Sequence, residues 1–290
     1  MRNRNRNNCL ANREIMIPGE DEEIERIKAE LAATVQSKRE RIFMLIIGAV
    51  LGSIPWVGGF LSASLSFKAA EDQIKNNQLY EKWFLEHDKK IKELFVTLRI
   101  ILERLDEFPE EINSRLESEE YLTIIRNAFR IWDSSDTQEK KDIIRRLISN
   151  AGAYTLVDDD LIRLFLNWIN YYHEVHFAVI RAVYKNEGIT RYNMWKQLNG
   201  KEVREDSMEA DVFKLLIRDL STGGVIRQHR SVDYAGNYIK KTPAKKNPYA
   251  SNTMKSAFDD SDGYELTELG KQFVHYTMSD LVPRVGGAGK

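Results

Sequence analysis

Cysteine is almost missing from this chain. Cys9 is the single cysteine among 290 residues, so an intramolecular disulfide is excluded and a reducing compartment is favoured. Cys9 lies in a segment rich in asparagine and arginine, which lacks the adjacent apolar core of a secretory signal. The composition therefore predicts a cytoplasmic protein, and any contact with a membrane is expected at the inner face of the plasma membrane.

Recognised catalytic and metal-binding constellations are also missing from the sequence. It has no phosphate-binding Walker A motif, no nucleophile elbow, no HExxH zinc motif and no paired CxxC. His173 and His176 are three residues apart but have no cysteine or third histidine nearby, which favours an ordinary helix surface over a zinc site. We therefore predict that the protein is not an enzyme and has no catalytic residue, metal or cofactor.

The chain also has very little net charge. Its 43 lysines and arginines nearly balance 44 aspartates and glutamates, which gives a formal net charge of −1. No global field would therefore draw the protein to nucleic acid. A chain of 290 residues can still bury a substantial core in one or two domains.

One long uncharged stretch contrasts with the rest of this highly charged chain. Residues Ile42 to Phe67 carry no charge, and we call them the apolar segment. A straight helix of that length would rise about 39 Å, enough to cross a hydrocarbon core of about 30 Å. Pro55 and the pair Gly58-Gly59 instead predict a turn from Ser53 to Gly59, with two helical legs too short to span a membrane alone. The prediction is an apolar helical hairpin.

Small and large side chains have separate predicted roles in this hairpin. Small residues four apart allow two helices to approach closely. The hairpin is predicted to pack through Gly48, Gly52, Pro55, Gly59 and Ala63. Its tip is predicted to contact a membrane surface or a partner protein through Phe43, Leu51, Trp56, Phe60 and Leu65. Two alternatives stay open: one kinked membrane span, or a tip buried in the protein's own core or in an oligomer.

Two long helical arms are predicted on either side of the apolar segment. A helical pattern runs into it from Glu20, and the basic cluster Lys38, Arg39 and Arg41 suits a flank that faces an anionic membrane. Beyond the segment, apolar residues recur in alternate steps of four and three as far as Leu105. This spacing is typical of a coiled-coil seam, in which His87 would be a polar register residue. We predict an antiparallel stalk and a homo-oligomer.

A packed helical connector is predicted after Phe108-Pro109, which ends the stalk. Helices are expected near Ser118 to Trp132, Asp136 to Ala151 and Leu161 to Ile169. Asp136 with Glu139 fits an acidic variant of the capping box, so Asp136 is the predicted N-cap of the second of these helices.

The last part of the chain alternates helices and short strands. Three helices are predicted: one that ends at Asn186, a short one through Met194, and one from Ser207 to Leu220. Two strands are predicted, from Val225 to Arg230 and from Tyr264 to Leu266. Thr267 is placed to cap a last helix. With GGVIRQ after the third helix and YELTELGKQF after a long hairpin, this order resembles the winged-helix superfamily of bacterial regulators. The resemblance covers about 110 residues. It implies a fold but no particular function.

In that superfamily the third helix usually enters the major groove of DNA and the hairpin, or wing, lies against phosphates. The third helix here sets Lys214 and Arg218 against three acidic residues, which is a poor surface for a polyanion. The wing is more basic, and the candidate nucleic-acid contacts are Lys214, Arg218, Arg230, Lys240, Lys241, Lys245 and Lys246. Because the third helix is acidic, protein docking or dimerisation is preferred to direct nucleic-acid binding, which stays open.

The predicted protein is mainly α-helical with a small β-wing. It has a disordered basic tail over residues 1–19, a hairpin stalk over 20–108, a connector over 109–170, a winged helix over 171–280 and a flexible tail over 281–290. The layout, including the segment DTQEKKDIIRRLISNAGA, also resembles abortive-infection alpha proteins and related phage-defence components. The leading hypothesis is a non-catalytic effector that engages the membrane and docks through its winged helix. The alternative is a DNA-binding regulator that dimerises through its coiled coil.

Overall fold

A computed structural model describes residues 39–60, 78–154, 157–231, 233–239 and 256–278. The described chain is mainly helical with one small antiparallel sheet, which confirms the predicted fold class at that level. It divides into two compact units, residues 1–130 and 131–290, each described by itself below. Several predicted features lie outside the described residues: both tails, most of the first arm, Ala63, Leu65, Lys240, Lys241, Lys245 and Lys246.

The first unit is built from helices. They are α1 (Glu40–Leu51), α2 (Gln78–Asp106), a short 3-10 turn (Glu110–Ile112), α3 (Asn113–Leu116) and α4 (Glu119–Asp133), whose last residues belong to the second unit. The described seam residues of α2 are buried at the predicted spacing: Ile91, Leu94, Leu98, Ile101 and Leu105. α2 ends just before Phe108-Pro109, as the sequence predicts.

The break in the apolar segment is shorter than predicted and begins earlier. α1 ends at Leu51, a turn covers residues 52–54, and helical conformation resumes at Pro55 and continues to residue 60. The predicted turn from Ser53 to Gly59 is therefore wrong in its extent, because Gly58 and Gly59 are helical. Proline is favoured at a first helical position, where its missing N–H would have had no partner inside the helix.

Contacts at both ends of the first leg fix its direction relative to α2. Arg39, one residue before α1, donates to the backbone carbonyls of Leu105, Phe108 and Pro109, and to Asn113 Oδ1 at 2.6 Å. Just beyond the turn that follows the other end, the ring of Trp56 lies 5.0 Å from that of His87. The leg therefore runs antiparallel to α2.

The second unit contains six further helices and three short strands in its described part. They are α5 (Gln138–Ala153), α6 (Asp159–Tyr171), α7 (Glu174–Lys185), β1 (Ile189–Thr190), α8 (Arg191–Leu198), α9 (Met208–Thr222), β2 (Ile226–Gln228), β3 (Gly263–Leu266) and α10 (Glu268–Thr277). Thr267 caps α10 through its hydroxyl group, as predicted, and Ser207, predicted only as the start of the third helix, caps α9 in the same way. The predicted cap of α5 is wrong: Thr137, not Asp136, accepts from the backbone N–H of Lys140.

β3 is the central strand of the sheet, with β1 and β2 antiparallel on either side. Ile189 faces Tyr264 in one pair, and Ile226 faces Leu266 in the other. The sheet needs a glycine at position 263, because a Cβ there would lie 2.5 Å from the carbonyl oxygen of Gly188. The sequence predicted β2 and β3 but treated Ile189-Thr190 as a connection.

Helices from the predicted connector share one core with those of the terminal segment. The rings of Phe165 on α6 and Phe273 on α10 lie 5.5 Å apart, and Trp168 lies 5.4 Å from Phe273. On α5, Asn150 donates from Nδ2 to the carbonyl of Tyr276 at 2.9 Å. α5 and α6 therefore belong to the same compact unit as α7–α10.

Candidate docking face of the second unit

α9 has one face in the core and one in solvent. Ser207 starts the helix by accepting from the N–H of Ala210. The inward side chains are apolar and buried, and they recur at helical spacing: Ala210, Phe213, Leu216, Ile217 and Leu220. This packing holds the helix rigidly and fixes which residues face outward.

The outward face of α9 carries a second apolar row. Met208 is 76% exposed, Val212 44% and Leu215 42%. Steps of four and three residues place these side chains next to one another along the helix. We call them the α9 stripe. Single exposed apolar residues are common, but adjacent ones on a rigid helix are typical of a surface that another molecule covers.

The two cations predicted as nucleic-acid contacts on α9 already lie close to carboxylates. Lys214 Nζ is 3.5 Å from Asp211 Oδ1 and 4.0 Å from Glu205 Oε2. Arg218 Nε is 3.9 Å from Asp219 Oδ1. The structure thus brings Lys214 and Arg218 onto one helix, but neighbouring acidic groups reduce the positive potential that a phosphate backbone would need.

Glu205, in the loop before α9, holds the chain that returns towards β3. Its carboxylate accepts from the Ser256 hydroxyl and, at 2.9 Å, from the N–H of Ala257. Burial acts to raise the pKa of Glu205, but these hydrogen bonds outweigh it and the pKa is lowered. The group therefore stays a carboxylate at neutral pH and keeps a negative charge beside the start of α9. Sequence reasoning missed this role, because a glutamate in a polar loop carries no local signal of it.

The returning chain also closes an aromatic cluster over α8 and α9. The Phe258 ring is stacked on Phe213 at 5.7 Å and lies 5.1 Å from Trp195. Just beyond it, Asp260 Oδ1 accepts from Asn193 Nδ2 at 3.4 Å. Asp260 is therefore placed beside the start of α8, and its negative charge makes this side of the unit still less attractive to a polyanion.

A charged cluster lies where β2 pairs with β3. Glu265 Oε1 accepts from Arg227 Nε at 2.7 Å, and its Oε2 lies 2.6 Å from His229 Nδ1. Burial acts to raise the pKa of Glu265, but the hydrogen bonds from His229 and Arg227 lower it overall. The guanidinium of Arg230, the predicted wing contact in the described chain, lies 5.6 Å from the Tyr238 ring centre. His229, Arg230 and Tyr238 border a groove of about 690 Å³ that is open to solvent.

His176 is buried, so the predicted surface position for this residue is wrong. It is 4% exposed, its Nδ1 accepts from the N–H of His173 at 3.1 Å, and its ring stacks on Tyr172 at 4.9 Å. Nε2 lies 3.8 Å from Asp219 Oδ2 on α9. Burial lowers the pKa of His176 in spite of the opposing charge of Asp219. The residue joins α7 to α9.

In the first unit, most described tip residues are covered by the chain itself. Phe43 is fully buried, Leu51 and Phe60 are nearly so, and Trp56 is half-buried. This burial agrees with the alternative of a tip in the protein's own core. Membrane contact through these side chains stays a prediction, and it requires this part of the unit to open.

The structure also shows where the residues predicted to pack the hairpin lie, and where Arg39 of the predicted basic flank lies. A Cβ at Gly52 would meet the carbonyl oxygen of Gly48 in its own helix at 3.2 Å, and one at Gly59 would have nothing within 4 Å. Gly48 is half-buried and Pro55 is exposed. Arg39 is 4% exposed and bonded to carbonyls, so its predicted place on a membrane-facing flank is wrong.

Within residues 39–60, 78–154, 157–231, 233–239 and 256–278, no three His, Cys, Asp or Glu side chains are grouped so as to hold a metal ion. None of the helices in this part of the chain combines the length and apolar character needed to cross a bilayer.

Comparison with known proteins gives no relative from which a function could be carried over. No protein-family model matches the chain, and neither the curated proteins nor the solved structures contain a match.

Proposed function

We propose that this chain is a non-catalytic interaction protein whose second unit is a winged-helix module that docks onto another protein. The order α7, β1, α8, α9, β2, β3 supports the winged-helix interpretation, with α9 as its third helix. The observation that carries the docking proposal is the exposed α9 stripe, where a DNA-reading helix would present polar and basic side chains.

The free energy available from covering apolar side chains favours docking over phosphate binding at α9. Covering a large apolar side chain gains roughly 1.5 to 3 kcal/mol relative to leaving it exposed, in proportion to the area removed from water. The α9 stripe offers three such side chains side by side. The cations of α9 offer less to a phosphate, because each would first have to leave a carboxylate within 4 Å.

Site-specific photo-cross-linking in cells tests the docking proposal. A photoreactive phenylalanine analogue replaces Leu215 in the full chain, and the same analogue at Tyr192, exposed on α8, is the matched control. We expect discrete protein adducts from position 215 that disappear when Met208→Glu is added. Adducts to DNA alone, or the same adducts from both positions, would contradict docking through α9.

DNA binding remains the second candidate, and one observation favours it. Arg230 and His229 are exposed beside Tyr238 at the base of the wing, a combination that suits a phosphate and sugar backbone. Replacing Lys240, Lys241, Lys245 and Lys246 by alanine should then reduce the slope of log affinity against log salt by up to ~3.6 in duplex-binding titrations. Wild-type protein that shows no salt-dependent duplex binding would remove this candidate.

The membrane and phage-defence parts of the leading hypothesis stay predictions. The burial of Phe43 and Phe60 offers them no direct support. The membrane hypothesis is tested by flotation of the full chain with anionic liposomes, in which binding by the wild type is the result that it predicts. Protein that stays at the bottom of the gradient would argue against it.

A further inference from the structure

Carboxylates surround the α9 stripe more closely than cations do. Successive residues of a helix are about 100° apart around its axis. Asp219, four residues after Leu215, therefore continues the line of the stripe, while Glu209 and Asp211 lie on its two sides. All three acidic residues are at least partly exposed. The stripe is therefore bordered by negative charge on both sides and at its C-terminal end.

The cations of α9 are placed farther from the stripe. Arg218 and Lys214 lie beyond Asp211 around the helix, on one side only. Each already lies within 4.0 Å of at least one carboxylate oxygen. Glu209, on the other side, has no cation within ion-pair distance among the residues that the structure describes. From Arg204 to Asp219 the chain carries five carboxylates and three cations, so the charge around the stripe is negative overall.

The stripe also restricts the form of its partner. Met208 and Leu215 are seven residues apart, so the row is about 10 Å long, or two turns of a helix. Within α9 the backbone groups are bonded inside the helix, so its surface offers no backbone hydrogen bonds to an extended peptide. A partner segment that lies along it must satisfy its own N–H and C=O groups. An α-helix does so, and it can present apolar side chains in a matching row.

We propose that the partner of the α9 stripe is a short amphipathic helix of another protein, with lysine or arginine on both sides of its apolar face. This inference rests on the proposed docking function and states the chemistry of the partner. The apolar row supplies most of the affinity, since exposed ion pairs contribute little. The carboxylates select the partner, because an acidic helix would be repelled from both sides of the stripe.

The same charges disfavour the other surfaces on which an apolar row could lie. Anionic phospholipid and nucleic acid both carry dense negative charge. Either would bring phosphates against Glu209 and Asp211, with only Arg218 and Lys214 on α9 to offset the repulsion. A basic protein segment is attracted by the same carboxylates.

Binding of three synthetic peptides to the full chain tests both parts of the inference. The first is a helix of leucine and lysine, about 14 residues long, with all its leucines on one face. The second replaces every lysine by glutamate, and the third scrambles the first so that no apolar face remains. In fluorescence anisotropy titrations we expect the first peptide to bind about tenfold more tightly than either of the others. Equal binding of the first two would overturn the basic partner, and equal binding of the first and third would overturn the need for an apolar face.

Variants of α9 show whether the peptide lies on the stripe. Leu215→Gln should raise the dissociation constant of the leucine–lysine peptide about tenfold, because it removes an apolar contact. Glu209→Lys with Asp211→Lys should weaken binding of this peptide by a similar factor and strengthen binding of the leucine–glutamate peptide. Glu174→Lys, in the first turn of α7, is the matched control that should change neither affinity. Unchanged melting temperatures will show that the exposed substitutions leave the fold intact. Peptide binding that is the same in all these variants would overturn the site.

Photo-cross-linking from position 215 separates this inference from the docking proposal. Mass spectrometry of the adducts identifies the partner segment that lies against Leu215 in cells. A basic amphipathic helix is the result that we expect. Adducts in acidic or non-helical segments would overturn the basic partner and leave docking in place. Absence of all protein adducts that depend on α9 would overturn both, even where the synthetic peptide binds.

Discussion

At the scale of single residues, Arg39 shows how one charged side chain can hold two segments together. Its guanidinium is nearly buried and its hydrogen bonds go to carbonyls at the end of α2 and just beyond. Those carbonyls lie where a helix ends and its backbone oxygens have no partner within the helix. The charge is therefore tolerated because several acceptors surround it.

Removing this guanidinium should strongly destabilise the first unit. We expect Arg39→Met to cost about 2 to 4 kcal/mol of unfolding free energy, since it leaves buried carbonyls without their donor. Urea denaturation followed by hydrogen exchange of α1 and α2 measures the loss. Arg41→Met is the control, because Arg41 is largely exposed and its ion pair with Glu117 lies on the surface. Equal losses for the two variants would contradict the role given to Arg39.

His176 should make the stability of the second unit depend on pH. Because its pKa is lower in the folded protein than the ordinary value of 6.5, the unfolded chain binds more protons as pH falls below 6.5. The stability that the neutral ring provides is complete above that pH and decreases below it.

The variant His176→Phe keeps an aromatic ring beside Tyr172 but cannot take up a proton. We expect its unfolding free energy to fall less between pH 7 and pH 5 than that of the wild type, as measured by urea titrations at each pH. His275→Phe, on α10, is the control for a general effect of histidine removal. Identical pH profiles for His176→Phe and the wild type would show that His176 is not the group responsible.

At the scale of helices and strands, a glycine decides how closely α10 approaches the sheet. A Cβ at Gly270 would lie 2.2 Å from the carbonyl oxygen of Val225, a residue that precedes β2. Because this neighbour is backbone, it cannot move aside as a flexible side chain could. This close approach of Gly270 to Val225 lets α10 pack against β2 and β3.

The change Gly270→Ala should therefore destabilise the second unit, by about 1 to 3 kcal/mol as in other overpacked sites. Thermal unfolding is the measurement. The opposite sign is expected for Gly59→Ala in the first unit, where the space is open and alanine favours helix by about 0.5 to 1 kcal/mol. A neutral result at Gly270 would mean that α10 can shift without loss.

The elements also show what could be predicted from the sequence. Apolar periodicity identified α9 with its start at Ser207, and the cap residue Thr267 identified the start of α10, because those signals are local. The two-residue strand β1 has no periodicity of its own and exists only because Tyr264 and Gly263 lie beside it. The α9 stripe was missed because it also depends on tertiary packing. In the sequence Met208 and Leu215 look like core residues, and only the structure shows that the opposite face of the helix is the buried one.

At the scale of the whole molecule, each compact unit has a core of its own. The apolar segment, for which the sequence left both membrane contact and burial open, lies in the core of the first unit over most of its described residues. The sequence could not distinguish membrane contact from burial in the protein, because an uncharged segment can be removed from water equally well in either environment.

Charged substitutions in this core should unfold the first unit and spare the second. We expect Trp56→Glu with Phe60→Glu to remove hydrogen-exchange protection from α1 and α2 while α9 stays protected, because a buried unpaired carboxylate is costly. Leu45→Glu, on the partly exposed side of α1, is the control. Retained protection together with lost liposome binding would instead support an exposed membrane tip.

The contact between Arg39 and Asn113 spans 74 residues of chain, and this separation matters while the protein is being made. At synthesis rates of about 5 to 20 residues per second, some 4 to 15 seconds pass between the two ends of that contact. Phe43, Ile46 and Ile47, which are buried in the finished unit, leave the ribosome before α2 has been synthesised. For those seconds the nascent chain presents its most apolar stretch to chaperones and lipids.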